Sequence, residues 1–175
     1  MSCSGHTFAL DERVTRRRRT VAAACLVIVA VGLVVYHPVL GFGFFWEDPA
    51  DIGQVETRTF AELFRTSTSN LYYRPLYLAL VKLLKGGNPF YTPLPFYVLN
   101  IVTRVATAVL LYFAACRWFR DHTSAAASAL IFLLCPASYE STARTMSSHQ
   151  LLLLLLLAAL WLYTLAREGR RPWAF

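Results

Sequence analysis

The run from Val21 to Val35 contains only apolar and small residues, and four consecutive arginines, Arg16 to Arg19, stand directly before it. A bilayer core needs about 20 mostly apolar residues in a helix, so this segment is typical of a membrane span. Positively charged residues stay on the cytoplasmic side of a membrane. The arginines therefore predict a cytoplasmic N-terminus and a chain that leaves the membrane on the opposite face.

The composition favours a membrane protein throughout. Of the 175 residues, 57% are hydrophobic and only 15% are charged, whereas about 25% of the residues in a soluble domain are charged. The formal net charge of +7 does not indicate nucleic-acid binding, because its largest cluster, Arg13 and Arg16 to Arg19, is juxtamembrane. Anionic lipid attracts such clusters. We expect membrane lipid as a partner and no nucleic acid.

The hydropathy pattern predicts an all-α, polytopic membrane helix bundle with about four transmembrane helices. The third is short and rich in alanine and serine, which suits a helix packed among others. The first is expected to be an uncleaved anchor, since no small-x-small cleavage site follows it. The predicted spans are residues 20–40, 96–116, 123–137 and 150–166.

Basic residues decide which ends of these spans are cytoplasmic. Arg117 and Arg120 separate the second and third spans, and further arginines follow the fourth. Four crossings place residues 1–19, this short connection and residues 167–175 on the cytoplasmic side. We expect a multi-pass protein of the bacterial inner membrane, with residues 41–95 in an outer loop.

This outer loop has the sequence signals of two short helices. Thr59 and Glu62 have the spacing of a capping box, and Pro75 suits a first helical position of a second helix that ends at Gly86. Both helices are too short to span, so we expect them to lie at the membrane interface. The expected apolar faces consist of Phe60, Leu63 and Phe64 in the first helix, and of Leu76, Leu80, Leu83 and Leu84 in the second.

Two adjacent carboxylates, Glu47 and Asp48, follow the first span at its outer end. They are either solvated loop acids or a site for proton transfer at the membrane surface. Pro49 disfavours the helical conformation at Asp48, so the two side chains are expected to point in different directions. Of the two, Asp48 is our candidate for a catalytic base.

Arg104 is a charge about two turns inside the second predicted span. Such a charge is costly unless it is paired or faces water. Three interpretations remain: a side chain that snorkels to the surface, an ion pair with Glu140, or a phosphate-binding group, since a guanidinium offers forked donors to phosphate oxygens. Arg74 and Arg144 are either interfacial anchors or further phosphate ligands.

His149 opens the fourth predicted span and has either a polar packing role or a role in the site. The sequence shows no metal-ligand pattern around it, so no metal site is predicted. The four cysteines have no CxxC spacing and indicate no disulfide framework.

Several of these segments resemble the start of polytopic GT-C glycosyltransferases, closest to the protein O-mannosyltransferase-like branch and its relatives with tetratricopeptide repeats. The resemblance covers roughly residues 41–166. The segments that carry it are Gly41–Asp48, Tyr73–Leu76, Asn88–Phe90 leading into Val98–Asn100, and Phe132–Glu140.

The resemblance implies transfer of a sugar from a polyprenyl-phosphate carrier to a protein or glycan acceptor at the non-cytoplasmic face. Asp48, with Glu47 beside it, would act as general base and give inversion at the anomeric carbon. The lipid phosphate would be bound by a set of polar residues at the same face. No cofactor is implied, since the lipid-linked sugar is a substrate. The expected set is Arg74, Arg104, Glu140, Arg144 and His149.

The chain departs from that family at several of these positions. The family usually has two aspartates where this chain has Glu47 and Asp48, and a histidine where it has Arg104. The chain also ends as though another span followed, so we expect only part of such an enzyme here. The alternative is a non-enzymatic four-helix membrane scaffold or partner subunit.

Overall fold

The computed structural model describes residues 4–44, 48–65, 74–86, 92–143 and 148–167. Within those ranges the regular structure is entirely helical. A 3₁₀ turn, His37–Gly41, follows the first helix. The α-helices are α1 (Ser4–Tyr36), α2 (Asp48–Thr57), α3 (Phe60–Arg65), α4 (Pro75–Gly86), α5 (Leu94–Phe119), α6 (His122–Leu134), α7 (Pro136–Ala143) and α8 (Ser148–Arg167).

Three helical segments in the described part of the chain are long and apolar enough to cross a membrane. They are Thr15–Gly41 with 27 residues, Leu94–Phe119 with 26 and His149–Arg167 with 19. A span needs about 20 residues. Their length and composition are those of a multi-pass membrane protein, which confirms the predicted class of an all-helical membrane protein.

The third predicted span, residues 123–137, is not one continuous helix. Helix α6 has only 13 residues, and Cys135 leaves the helical conformation with φ −62° and ψ 128°. Pro136 causes this break, because a proline disfavours the helical conformation of the residue before it. Helix α6 is roughly 20 Å long against a bilayer core of roughly 30 Å, and the chain continues in the eight-residue helix α7.

Helix α5 lies at the centre and contacts α1, α6, α7 and α8. Helix α1 packs tightly against α5 at Gly32, where a Cβ atom would lie only 2.7 Å from Cγ2 of Val105. Real Cβ contacts are almost never that short, so only glycine permits this helix–helix approach. The buried core around this crossing includes Ile28, Tyr36 and Leu133.

Described arginines of α1 and α5 and the last residue of α8, Arg167, lie at one end of the bundle. Arg17 is close enough to Cys116, near the end of α5, to interact with it electrostatically. The C-terminal turns of α5 and α8 line a common cleft with Arg117. The grouping agrees with the predicted topology, and we call this the basic end.

In the segment predicted as an outer loop, the capping box of Thr59 and Glu62 is confirmed. Glu62 accepts hydrogen bonds from the backbone N–H of Thr59 at 2.6 Å and from its hydroxyl at 2.9 Å, and the Thr59 hydroxyl accepts from the N–H of Glu62 at 3.3 Å. Hydrogen bonding by the backbone and hydroxyl of Thr59 lowers the pKa of the Glu62 carboxyl. Helix α4 begins at Pro75, as predicted.

Two features of this region differ from the sequence prediction. Asp48 is the first residue of helix α2, which was not predicted, rather than part of an extended segment. In α4 the buried residues are Tyr77, Leu78 and Val81, while Leu76 and Leu83 of the predicted apolar face are exposed. The reason is that α2 and α3 cover the tyrosine side of α4.

We predict that Gly32→Ala lowers the free energy of unfolding by about 1–3 kcal/mol, because the β-branched Val105 side chain has little freedom to move away. The matched control is Gly53→Ala, also within a helix, where an added Cβ meets nothing within 4 Å. Thermal unfolding in detergent would compare them. Equal stability of the two variants would contradict the close packing of α1.

A second prediction concerns Asp121, the N-cap of α6, which accepts from the backbone N–H groups of Thr123 and Ser124. Hydrogen bonding with Ser124 holds the pKa of the Asp121 carboxyl below its usual range. A lowered folded-state pKa contributes stability above the unfolded pKa of about 3.9, and that contribution is lost as the pH falls through the folded value.

The comparison is between wild type and Asp121→Asn, since asparagine also caps helices but carries no charge. We expect the wild type to be more stable at pH 7 and the difference to shrink as the pH falls below about 4. Thermal unfolding over this pH range measures it. A difference that grows on acidification would contradict the prediction.

Candidate functional site

Arg104 lies in the protein interior, with only 5% of its surface exposed. It belongs to the central helix α5 and points toward the short helix α7. The prediction that this charge faces the interior is confirmed, and the snorkelling interpretation is wrong.

The guanidinium is held by neutral groups of α7. Its Nε donates to Oγ1 of Thr142 at 3.4 Å, and Nη1 donates to Oγ of Ser138 at 3.3 Å. The Nη2 atom donates to the carbonyl oxygen of Ser138 at 3.2 Å and to the hydroxyl of Ser141. These three hydroxyl residues have the spacing i, i+3 and i+4, so they share one face of α7. We call Arg104 with these residues and Gln150 the arginine cluster.

The proline break explains why these hydroxyls face Arg104. Pro136 has no N–H, so the carbonyl oxygen of Phe132 loses the donor that a continuing helix would provide. The Ser138 hydroxyl donates to that oxygen at 2.7 Å. Tyr36 at the end of α1 donates to the neighbouring carbonyl of Leu133, also at 2.7 Å. The freed carbonyls of α6 are therefore satisfied by side chains that fix α7 against α1 and α5.

An aromatic ring completes the surroundings of Arg104. The guanidinium carbon lies 4.8 Å from the ring centroid of Phe132. A cation over a ring face gains roughly 0.5–2 kcal/mol from the ring quadrupole, more when water is excluded. This contact offsets part of the cost of burying the charge, but it does not neutralise it.

Gln150, in the first turn of α8, joins the cluster and has an unsatisfied atom. Its Nε2 donates to Oγ1 of Thr142 at 2.9 Å. The Thr142 hydroxyl must accept here, because it donates its own proton to the Ser138 carbonyl at 2.8 Å. The Oε1 atom of Gln150 is buried, and no donor among the described residues lies within hydrogen-bond distance of it.

The arginine cluster carries a net positive charge. In the part of the chain that the structure describes, Arg104 has hydroxyl and carbonyl partners and no carboxylate, and Glu140 of α7 is exposed. The structure therefore does not support the second interpretation, an ion pair between Arg104 and Glu140, both of which are described. A buried cation with only dipoles around it suits an anionic ligand such as a phosphate group.

The described residues contain no group of three His, Cys, Asp or Glu side chains that is placed to hold a metal ion.

The remaining residues that the sequence predicts for the site are either placed elsewhere in the described structure or lie outside it. Glu47 and Arg144 lie outside the described residues. Arg74 directly precedes α4, and its carbonyl accepts from the N–H of Leu78 at 3.0 Å. His149 is exposed in the first turn of α8, one residue before Gln150.

The segment that leads to Asp48 is tied to the same end of α5 as the arginine cluster. Tyr97 donates to the carbonyl of Gly43 at 2.7 Å, and Phe44 contacts Phe96 edge to face. Arg104 lies seven residues after Tyr97, roughly 10 Å further along the helix. Helix α2 begins four residues after Phe44, at Asp48.

Sequence reasoning missed the three hydroxyl residues of α7. The signal was available, because Ser138, Ser141 and Thr142 follow a proline at helical spacing and face a predicted intramembrane charge. Tyr36 was missed because its partner is a main-chain carbonyl, which leaves no pattern in the sequence.

Comparison of the chain with models of protein families, with characterised proteins and with solved structures finds no match. The glycosyltransferase resemblance of residues 41–166 thus stays a prediction.

We predict that Arg104→Met leaves the free energy of unfolding within about 1 kcal/mol of wild type or raises it, because no charged partner is left behind. The matched variant is Thr142→Val, which removes the acceptor of Gln150 and should cost about 1–3 kcal/mol. Thermal unfolding in detergent measures both. A larger loss for Arg104→Met than for Thr142→Val would mean that Arg104 serves the fold.

Proposed function

We propose that this protein is a membrane glycosyltransferase that transfers a sugar from a polyprenyl-phosphate donor to an acceptor at the non-cytoplasmic face. The observation that carries the proposal is the buried charge of Arg104, which hydroxyls and a carbonyl surround and which no described carboxylate pairs. A buried charge that no described carboxylate neutralises suits an anionic ligand. The phosphate of a membrane-embedded lipid is the anion of this proposal.

The proposed chemistry needs one base and one cationic site. The acceptor hydroxyl attacks the anomeric carbon while Asp48 takes its proton. The bond between the anomeric carbon and the phosphate oxygen breaks, and its electron pair stays on the phosphate. Arg104 stabilises the charge that develops there. Attack opposite the leaving group inverts the anomeric centre, and no cofactor takes part.

Further residues have supporting roles in this proposal. Gln150 accepts a hydrogen bond from a sugar hydroxyl through the oxygen that is unpartnered here. For Arg74, Arg144, Glu140 and His149 we propose the phosphate-binding role that the glycosyltransferase resemblance implies.

The proposed topology has a cytoplasmic N-terminus and four passes. The broken pair α6–α7 forms the third pass, which returns the chain so that the start of α8 lies beside α7. The basic end is then cytoplasmic, in a bacterial inner membrane, and the arginine cluster belongs to the outer half.

Helices α3 and α4 rest on the outer surface of the bilayer in this topology. Their exposed apolar side chains suit such a position. These are Phe60, Phe64, Leu76 and Leu83, with 46–66% of their surface exposed.

The transfer test uses membranes that contain the full chain, polyprenyl-phosphomannose as donor probe, and release of polyprenyl phosphate as readout. We expect Asp48→Asn to abolish release while expression is unchanged, since the amide cannot accept the proton. The matched control is Asp51→Asn, one turn further along the same helix. If Glu47→Gln alone abolishes release, the base is Glu47.

Donor binding separates the role of Arg104 from that of the base. We expect Arg104→Leu to weaken retention of polyprenyl phosphate about 10- to 100-fold, as expected for loss of a charge-assisted hydrogen bond. Arg104→Lys should retain part of the binding, because it keeps the charge but loses the fork. No release by wild type and equal donor retention by all variants would refute the enzyme and favour the scaffold.

A further inference from the structure

Gln150 is the buried group of the arginine cluster that still has hydrogen-bonding capacity. Only 3% of its surface is exposed, in the first turn of α8. Its Nε2 donates to Oγ1 of Thr142 at 2.9 Å, whereas no donor among the described residues lies within hydrogen-bond distance of its Oε1. An amide oxygen can only accept hydrogen bonds. A ligand that satisfies this atom must therefore present an O–H or N–H group.

This acceptor lies beside the cation proposed for the phosphate. The Nε atom of Arg104 and the Nε2 atom of Gln150 both donate to Oγ1 of Thr142, at 3.4 Å and 2.9 Å. One hydroxyl oxygen thus links the guanidinium to the amide of Gln150, and Oε1 is bonded to the same carbon as Nε2. A molecule that binds both groups must carry its anion and its hydrogen-bond donor close together.

The phosphodiester of the sugar–lipid substrate cannot itself satisfy Gln150. It has no proton at neutral pH, so its oxygens accept hydrogen bonds as the amide oxygen does. The hydrogen-bond donor must then come from the sugar. The phosphate is bonded to C1 of the sugar, and the hydroxyl on the adjacent C2 lies next to it. The hydroxyls on C3 and C4 are further around the ring, away from the phosphate.

We propose that Gln150 recognises the 2-hydroxyl of the transferred sugar, and that the substrates are polyprenyl-phosphate-linked hexoses whose 2-hydroxyl is unsubstituted. This inference rests on the proposed function and specifies the sugar class for the same site. Arg104 holds the phosphate, and Oε1 of Gln150 accepts from the 2-hydroxyl. A sugar without this hydroxyl leaves the buried acceptor unsatisfied. In glycoside hydrolysis, hydrogen bonds to the 2-hydroxyl also strengthen in the transition state.

The first arm of the experiment compares two substrates with the wild-type protein. Membranes that contain the full chain receive polyprenyl-phosphomannose or its 2-deoxy analogue, and release of polyprenyl phosphate is measured. We expect release from the 2-deoxy analogue to be about 10- to 100-fold slower, as for one unsatisfied buried acceptor. Loss of the electron-withdrawing 2-hydroxyl favours an oxocarbenium-like transition state, so slower release does not reflect lower chemical reactivity.

The second arm changes the residue. Gln150→Met keeps a similar length without the amide oxygen, so release from polyprenyl-phosphomannose should slow until the two substrates react at similar rates. The matched control is Leu152→Met, at an exposed position of the same helix outside the cluster, which should keep the wild-type ratio. The ratio is the readout, because a loss of folded protein lowers release from both substrates alike. If Gln150→Met fails to fold, Gln150→Asn gives the same test, since it withdraws the amide by one carbon.

Failure of this inference differs from failure of the proposed function. Equal release from both substrates by the wild type would overturn the inference alone. A Gln150 variant that keeps the wild-type preference would also overturn it, because another group would then recognise the 2-hydroxyl. No release from either substrate would refute the proposed function, and the inference with it.

Discussion

The missing N–H of Pro136 is the constraint on which the interior of this bundle depends. It ends α6 early and leaves the carbonyl of Phe132 without a helical donor, and the Ser138 hydroxyl supplies that donor. The new helix α7 then presents its hydroxyl face to the centre of the bundle. Without the break, one continuous helix would point these hydroxyls in other directions, and Arg104 would lose most of its hydrogen-bond partners.

All three guanidinium nitrogens of Arg104 have hydrogen-bond acceptors, but no described carboxylate balances the charge. Three donors converge on the carbonyl oxygen of Ser138, which has two lone pairs, and the Oε1 atom of Gln150 has no donor. A buried charge of this kind adds little to stability, because desolvation costs several kcal/mol and dipoles return only part of it. The arrangement therefore suits the anionic ligand that we propose.

The two ends of the bundle differ in chemistry. One end carries the arginines and the ends of α5 and α8, with a shallow apolar cleft between them. Toward the other end, the Gly43 segment is held on Tyr97 and the arginine cluster lies about two turns deeper. Helix α5 joins the two ends, and Gly32 of α1 packs closely against it at Val105.

The sequence by itself determined the features that depend on local physics. Hydropathy over about 20 residues identified the long spans, the spacing of Thr59 and Glu62 identified a cap, and the cost of a charge in lipid predicted that Arg104 faces inward. Only the tertiary structure decided which side of α4 is buried, where α6 ends, and which hydroxyls surround Arg104. Those outcomes depend on residues distant in the chain, because a helix buries whichever face its neighbours cover.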